Sequence, residues 1–223
     1  MAAAGQIQVH TIAMYYTGES WNGVDQDVYA TSKFIKAIKG RPVNQYAYIP
    51  VKAGQPPRKL EESNRDDALK WAGAMLAEQL GNLFSSGRAC VLVPVPGSHC
   101  VSATQVKDCR HYQIAESFAS RFDNVTVEAR LWWKRKMVKA AEGGLRNGDA
   151  LLRHLSATAD PGDGALLVVF DDVLTSGGHI QAAHAALLAS GGKVVDHAIC
   201  VGRSTVDPDE KKFGYVAKSI DKL

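Results

Sequence analysis

The sequence predicts an α/β fold, a parallel sheet flanked by helices and carrying a small N-terminal hood subdomain. Three observations predict it. From about residue 86 onward, short near-continuous apolar runs alternate with segments of helical periodicity, the pattern of strands covered on both faces by crossover helices. One of these runs, ALLVVF at 165 to 170, leads directly into Asp171, Asp172 and a Thr-Ser-Gly-Gly turn, and then into a helix-like stretch. The chain has 223 residues, 46% of them hydrophobic and 22% charged, which suffices for one sizeable core or for one core with a smaller appendage.

Taken in order, Val9 to Tyr15 reads as a short strand and Thr17 to Gly23 as a polar turn. In TSKFIKAIKG, Phe34, Ile35 and Ile38 fall on one face of an amphipathic turn or two of helix. Prolines at 42, 50, 56 and 57 exclude a long helix between Arg41 and Arg58. Asp66 to Phe84 is a helix, with Ala68, Leu69, Ala72, Met75, Leu76 and Leu80 on a common face and Gly81 near its end. Ala89 to Val95 is a strand, Ile114 to Phe122 a helix, Val125 to Leu131 a second strand and Ala165 to Phe170 a third. Gly178 to Ser190 is a helix and Val194 to Val201 the fourth strand. The division this implies is a hood with a peripheral helix at 1–85, a core at 86–205 and a C-terminal tail at 206–223.

Composition narrows the function classes. The first fourteen residues lack a basic start and an uninterrupted apolar run, and no later segment approaches the roughly 18 apolar residues of a membrane span. A cytoplasmic protein with no membrane partner is expected. Cys90, Cys100, Cys109 and Cys200 form no CxxC pair and no Cys/His array, so buried free thiols are expected rather than zinc. A formal charge of +3 is too mild to argue for nucleic acid as a partner.

In an open parallel sheet, ligands bind beyond the carboxyl ends of the strands. Asp171 and Asp172 belong to that edge, and the turn expected to begin at Val173 would bring both to the rim. Paired acids suit the two hydroxyls of a ribose or a divalent cation. Thr175, Ser176, Gly177 and Gly178 then supply short hydroxyls and unobstructed backbone just before a helix whose first amides lack internal partners, which makes an anion cradle. The plainer use of the same residues is to cap the helix and make a turn. Neither a Walker loop nor a GxGxxG fingerprint is present.

The continuous stretch VVFDDVLTSGGH resembles the signature of type I phosphoribosyltransferases: apolar strand, Asp-Asp, two mostly apolar residues, then Thr-Thr/Ser-Gly. The resemblance implies the Rossmann-like fold of that family. It also implies that the catalytic pair Asp171 and Asp172 holds the ribose 2- and 3-hydroxyls of 5-phosphoribosyl 1-diphosphate (PRPP). Val173, Leu174, Thr175, Ser176, Gly177, Gly178 and His179 would hold the 5-phosphate. His179 stands where the family has Thr or Ser, and when protonated it would add positive charge. After the strand ACVLVPV, the run Pro94-Val95-Pro96-Gly97-Ser98 is similar to the Pro-Val-Pro of the competence-associated, ComF-like members, and Arg110, Tyr112, Gln113 and Ala115 follow their next helix, with His111 in place of glycine. By resemblance Val95, Pro96, Gly97 and Ser98 form the pyrophosphate loop. Residues 131–155 carry Lys134, Arg135, Lys136 and Arg146 around Gly143-Gly144, a segment able to close over a polyanion, although each cation alone also fits a solvated surface. Trp132 and Trp133 suit packing more than stacking.

The expected activity is therefore Mg2+-dependent transfer of a 5-phosphoribosyl group to an unidentified nitrogen acceptor with release of pyrophosphate, a transferase of nucleotide metabolism. Mg2+ would arrive bound to PRPP, so no residue is set apart as a metal ligand. The alternatives are a non-catalytic PRPP sensor of the ComF type and, ranked last, a single-stranded DNA contact through the basic segment. Tyr15, Tyr16, Trp21 and Tyr46 of the hood would either stack on a base or pack together. A homodimer stays open.

Overall fold

The computed structural model describes residues 5–19, 21, 23–84, 87–139, 142–158 and 164–223. The expected boundary at 85 and 86 lies outside them. Six strands form the main sheet in the order β10-β1-β9-β8-β4-β5: β1 (Gln6–Tyr16), β4 (Cys90–Pro94), β5 (Val125–Val127), β8 (Leu166–Leu174), β9 (Val194–Thr205) and β10 (Phe213–Asp221). Every neighbouring pair is parallel except β1 with β10. The architecture is thus α/β with a mostly parallel sheet flanked by helices.

Both faces are covered, which is why β4 and β8 read as continuous apolar runs. On one face lie α1 (Gln26–Ile38), α2 (Asp67–Leu80) and α4 (Arg110–Ala119), whose Phe34, Ile38, Leu76, Ile114 and Phe118 pack with Leu92, Val168 and Phe170 of the sheet. On the other face α6 (Gly178–Ala189) buries Ile180, Ala183 and Leu187 against Val91, Leu167 and Val169. A separate hairpin of β6 (Leu131–Trp133) and β7 (Leu155–Ala157) joins this second core, and a hairpin of β2 (Ala47–Ile49) and β3 (Arg58–Leu60) packs beside α1. Two short helices, α3 (Ala103–Lys107) and α5 (Gly148–Leu152), complete the chain.

Several expected elements are redrawn. The strand expected over 125–131 splits: Val125–Val127 pairs with β4, while Leu131–Trp133 leaves the sheet to pair with β7. Between them the chain bends at Glu128 to Arg130, where the Arg130 amide donates to the Glu128 carbonyl at 3.1 Å. The strand expected to end at Phe170 continues to Leu174, because its neighbour β9 is long enough to pair with it through Arg203. The first strand, assigned to the hood, is a central member of the main sheet beside β9. The expected tail supplies β10, which covers the exposed side of β1. The helix expected over 114–122 begins one turn earlier, at Arg110.

Arg203 secures this outer half of the sheet. It is fully buried, and its guanidinium donates to Glu210 (2.6 Å), the Lys211 carbonyl (2.7 Å), Thr11 Oγ1 and the Ala13 carbonyl (both 3.4 Å). One side chain thereby joins β9, β1 and the loop before β10. Arg203→Leu leaves those acceptors without their donor and is expected to lower the unfolding free energy by about 2–4 kcal/mol in urea titrations at neutral pH.

Candidate functional site

The chain order places a crevice in the sheet. From β4 the chain steps outward to β5, then returns to the opposite side of β4 as β8, so strand order reverses between β4 and β8. At such a reversal the two following loops diverge and leave an opening above the strand ends. Here β4 stops at Pro94, opposite Phe170, and the Val95 amide makes a last bond to the Phe170 carbonyl at 2.8 Å. Beyond that point β8 pairs only with β9, through Asp171 with Cys200, Val173 with Gly202 and Leu174 with Arg203. Asp171 and Asp172 stand where β4 has departed.

Both carboxylates are nearly buried, at 7% and 8% exposure. The Asp172 amide donates to Asp171 Oδ1 at 2.8 Å. Two cations meet Asp172: Lys39 Nζ at 3.4 Å and His111 Nε2 at 3.4 Å from Oδ2. The other ring nitrogen of His111, Nδ1, lies 3.2 Å from the Val95 carbonyl oxygen. Two acceptors on opposite ring nitrogens suit the doubly protonated imidazolium.

A single guanidinium aligns this pair of cations. Arg110 donates through Nε to the Ile38 carbonyl (2.8 Å) and through Nη2 to the Ala37 carbonyl (2.9 Å), satisfying the last turn of α1, while Nη1 reaches Asp66 at 2.9 Å. Gly40, at φ +70°, turns the chain away against the Arg110 side chain. Lys39 at the end of α1 and His111 in the first turn of α4 therefore converge on one carboxylate.

The electrostatics follow from this geometry. Burial disfavours charge on Asp171, and the neighbouring Asp172 adds repulsion, so Asp171 is raised above the ordinary carboxylate value although His111 and His179 oppose the shift. Burial would raise Asp172 as well, but the charges and hydrogen bonds of His111 and Lys39 prevail and hold it well below that value. Burial also works against charge on His111. Asp172 outweighs it and lifts the imidazole from 6.5 to about 9.

The turn after β8 is built differently from the expectation. Val173 and Leu174 are buried strand residues and take no part in it, a correction that follows from the length of β9. Thr175 and Ser176 are exposed. Gly177, at φ +85°, is the N-cap of α6 and leaves the helix without a side-chain cap. At Gly178 any Cβ would strike the carbonyl of Arg146, which also accepts from Ser176 Oγ at 3.3 Å. His179 is half-buried and meets Trp133 edge-on at 6.0 Å between ring centroids.

The loop after β4 lies close by. Val95 and Pro96 are buried, Gly97 and Ser98 half-buried. The hairpin segment runs along it, with Met137 N donating to the Ser98 carbonyl (2.7 Å), Trp133 N to the Cys100 carbonyl (2.9 Å) and Trp133 Nε1 to the Pro96 carbonyl (3.1 Å). Trp133 is thus a packing residue, 2% exposed. Of the basic side chains, Lys134 donates to the Arg153 carbonyl at 3.0 Å and Arg135 lies 3.5 Å from His154, while Lys136 and Arg146 are exposed. Of the N-terminal aromatics, Trp21 packs against both Tyr16 and Tyr29, whereas Tyr46 is exposed.

Lys39 is the site cation that sequence reasoning missed; it is separated from Asp172 by 133 positions, and no local pattern sets it apart from the other lysines of its helix. His111 was visible only as a departure from a glycine. No family model and no curated protein matches the chain.

Among the described residues, His111, Asp171 and Asp172 bring one donor atom each within 4.8 Å of one another. That set does not suit a resident magnesium ion, which prefers oxygen ligands and its own waters. Lys39 already occupies the cation's place at Asp172, and protonated His111 has no lone pair to give. The Asp172–His111 interaction persists through the ordinary carboxylate range, where Asp172 is held ionised, and is lost as pH rises through about 9. In proton NMR, the His111 ring is expected to titrate near pH 9 and, in Asp172→Asn, at or below 6.5.

Proposed function

We propose that the chain binds PRPP at this crevice and transfers its 5-phosphoribosyl group to a nitrogen nucleophile with release of pyrophosphate, as expected of a type I phosphoribosyltransferase. The observation that carries the reading is the adjacency of a buried Asp171-Asp172 pair to a helix start capped only by a left-handed glycine. Carboxylates accept from a diol, and the helix start attracts a phosphate.

In this reading Asp172, kept ionised by Lys39 and His111, accepts from one ribose hydroxyl and Asp171 from the other. The turn from Thr175 to Gly178 seats the 5-phosphate, with His179 beside it. Positive charge that develops on the ribose as its bond to pyrophosphate breaks is favoured by the carboxylates beneath. Val95, Pro96, Gly97 and Ser98 line the side where the diphosphate leaves, with Lys39 and His111 supplying positive charge. Magnesium would be brought by PRPP on its own oxygens and would supply charge neutralisation to the diphosphate, with no residue of the chain assigned to hold it. Lys134 and Arg135 can assist only by leaving the Arg153 carbonyl and His154.

A second reading, a PRPP sensor without turnover, is favoured by the ion pairs that already satisfy Asp172. Calorimetry with PRPP and magnesium is expected to show saturable binding that Asp171→Asn plus Asp172→Asn abolishes while circular dichroism stays unchanged. Pyrophosphate release with a purine, a pyrimidine or an amine acceptor supports the transferase; binding with no release for any of the three supports the sensor. Absence of heat with the unmodified protein overturns both.

A further inference from the structure

Beside the crevice, the loop after β4 folds back through α3 so that Cys100 and Cys109 meet. Their sulfurs stand 2.6 Å apart, closer than two unbonded sulfurs rest, and both are buried, at 0% and 5% exposure. Both thiols donate to one acceptor, the carbonyl of Gln105, at 3.5 Å and 3.4 Å. His99, itself exposed, places Nε2 at 3.7 Å from Cys100 Sγ and 4.0 Å from Cys109 Sγ. Gly97 packs on the pair, since a Cβ there would lie 3.2 Å from one sulfur and 3.4 Å from the other.

We propose that Cys100 and Cys109 are a modification site, a dithiol that peroxide converts to an intrachain disulfide. His99 with the two cysteines also forms a metal-type cluster. Yet two thiolates on one tetrahedral ion sit roughly 3.7 Å apart, well beyond the observed separation. The compressed pair favours a bond between the sulfurs.

Cys109, the less buried of the two residues, releases its proton with the exposed His99 ring, 4.0 Å away, as acceptor, and its sulfur attacks one oxygen of hydrogen peroxide. The oxygen–oxygen bond breaks, and the departing hydroxide takes the proton back as water. Cys100 Sγ then attacks the resulting sulfenic sulfur; the sulfur–sulfur bond forms, the sulfur–oxygen bond breaks, and the Cys100 proton leaves with the second water. Burial and the neighbouring Cys109 push the Cys100 thiol up to about 12, so Cys100 enters as a thiol and acts as the resolving partner.

The bond would tie the loop carrying Gly97 and Ser98 to the N-cap of α4, one residue before Arg110 and two before His111. Its formation does not depend on which ligand the crevice takes. The test uses the full chain. Denatured thiol titration is expected to fall from four thiols to two after brief peroxide treatment and to return to four with dithiothreitol. Tryptic mapping of the oxidised protein should join the peptide ending at Lys107 to Asp108-Cys109-Arg110, with fragmentation assigning the bond to Cys100. Cys100→Ser and Cys109→Ser should each abolish the link. The proposal is overturned if four thiols persist, if Cys109 proceeds to sulfinic acid without a bridge, or if the isolated protein releases one zinc per chain when both cysteines are titrated with a mercurial.

Discussion

Two adjacent carboxylates in a buried crevice repel one another, and they coexist here because Asp172 is met by two cations from distant parts of the chain. Lys39 closes α1, His111 opens α4, and both lie 3.4 Å from the same oxygen. Their alignment depends on Arg110, whose guanidinium binds the last carbonyls of α1 and reaches Asp66 ahead of α2. Packing on that face of the sheet and charge balance in the crevice are therefore one system: a shift of α1 against α4 would separate the cations from Asp172 and leave a buried charge uncompensated.

The consequence is a division of labour between identical side chains. Asp172 is held ionised, while Asp171, facing repulsion and burial with less compensation, is the one nearer to its neutral form. Polar residues just beyond, Thr175 and Ser176, are exposed and free of the strand, and the two buried glycines that follow leave room for Ile220 and the Arg146 carbonyl. An acidic floor and an uncapped helix start meet at the point where the strand order reverses, which is the place an α/β sheet leaves open.

Much of this was legible in the amino-acid order because local patterns carry it. Continuous apolar runs mark β4 and β8, the Thr-Ser-Gly-Gly turn marks the start of α6, and the prolines after β4 mark where it leaves the sheet. What stayed hidden depends on partners far away. Nothing local says that β8 runs on through Val173 and Leu174; the length of β9 decides it. Strand β10 carries half-buried and exposed residues at an edge, so its alternation is faint, and its pairing with β1 spans nearly the whole chain. Lys39 looked like any helix-end lysine. The basic segment around Lys134 and Arg135 drew attention by its charge, but those two side chains are engaged by Arg153 and His154 in the turn between α5 and β7.

The proposed function requires the start of α6, beside the two acids, to seat an anion, and backbone NMR reads that directly. When PRPP with magnesium is titrated into the nitrogen-15-labelled chain, saturable amide shifts are expected at residues 175–179, joined at the same ligand concentration by residues 95, 97 and 98. Shifts that saturate on another face of the sheet, with the Gly177 and Gly178 amides unmoved, would contradict it.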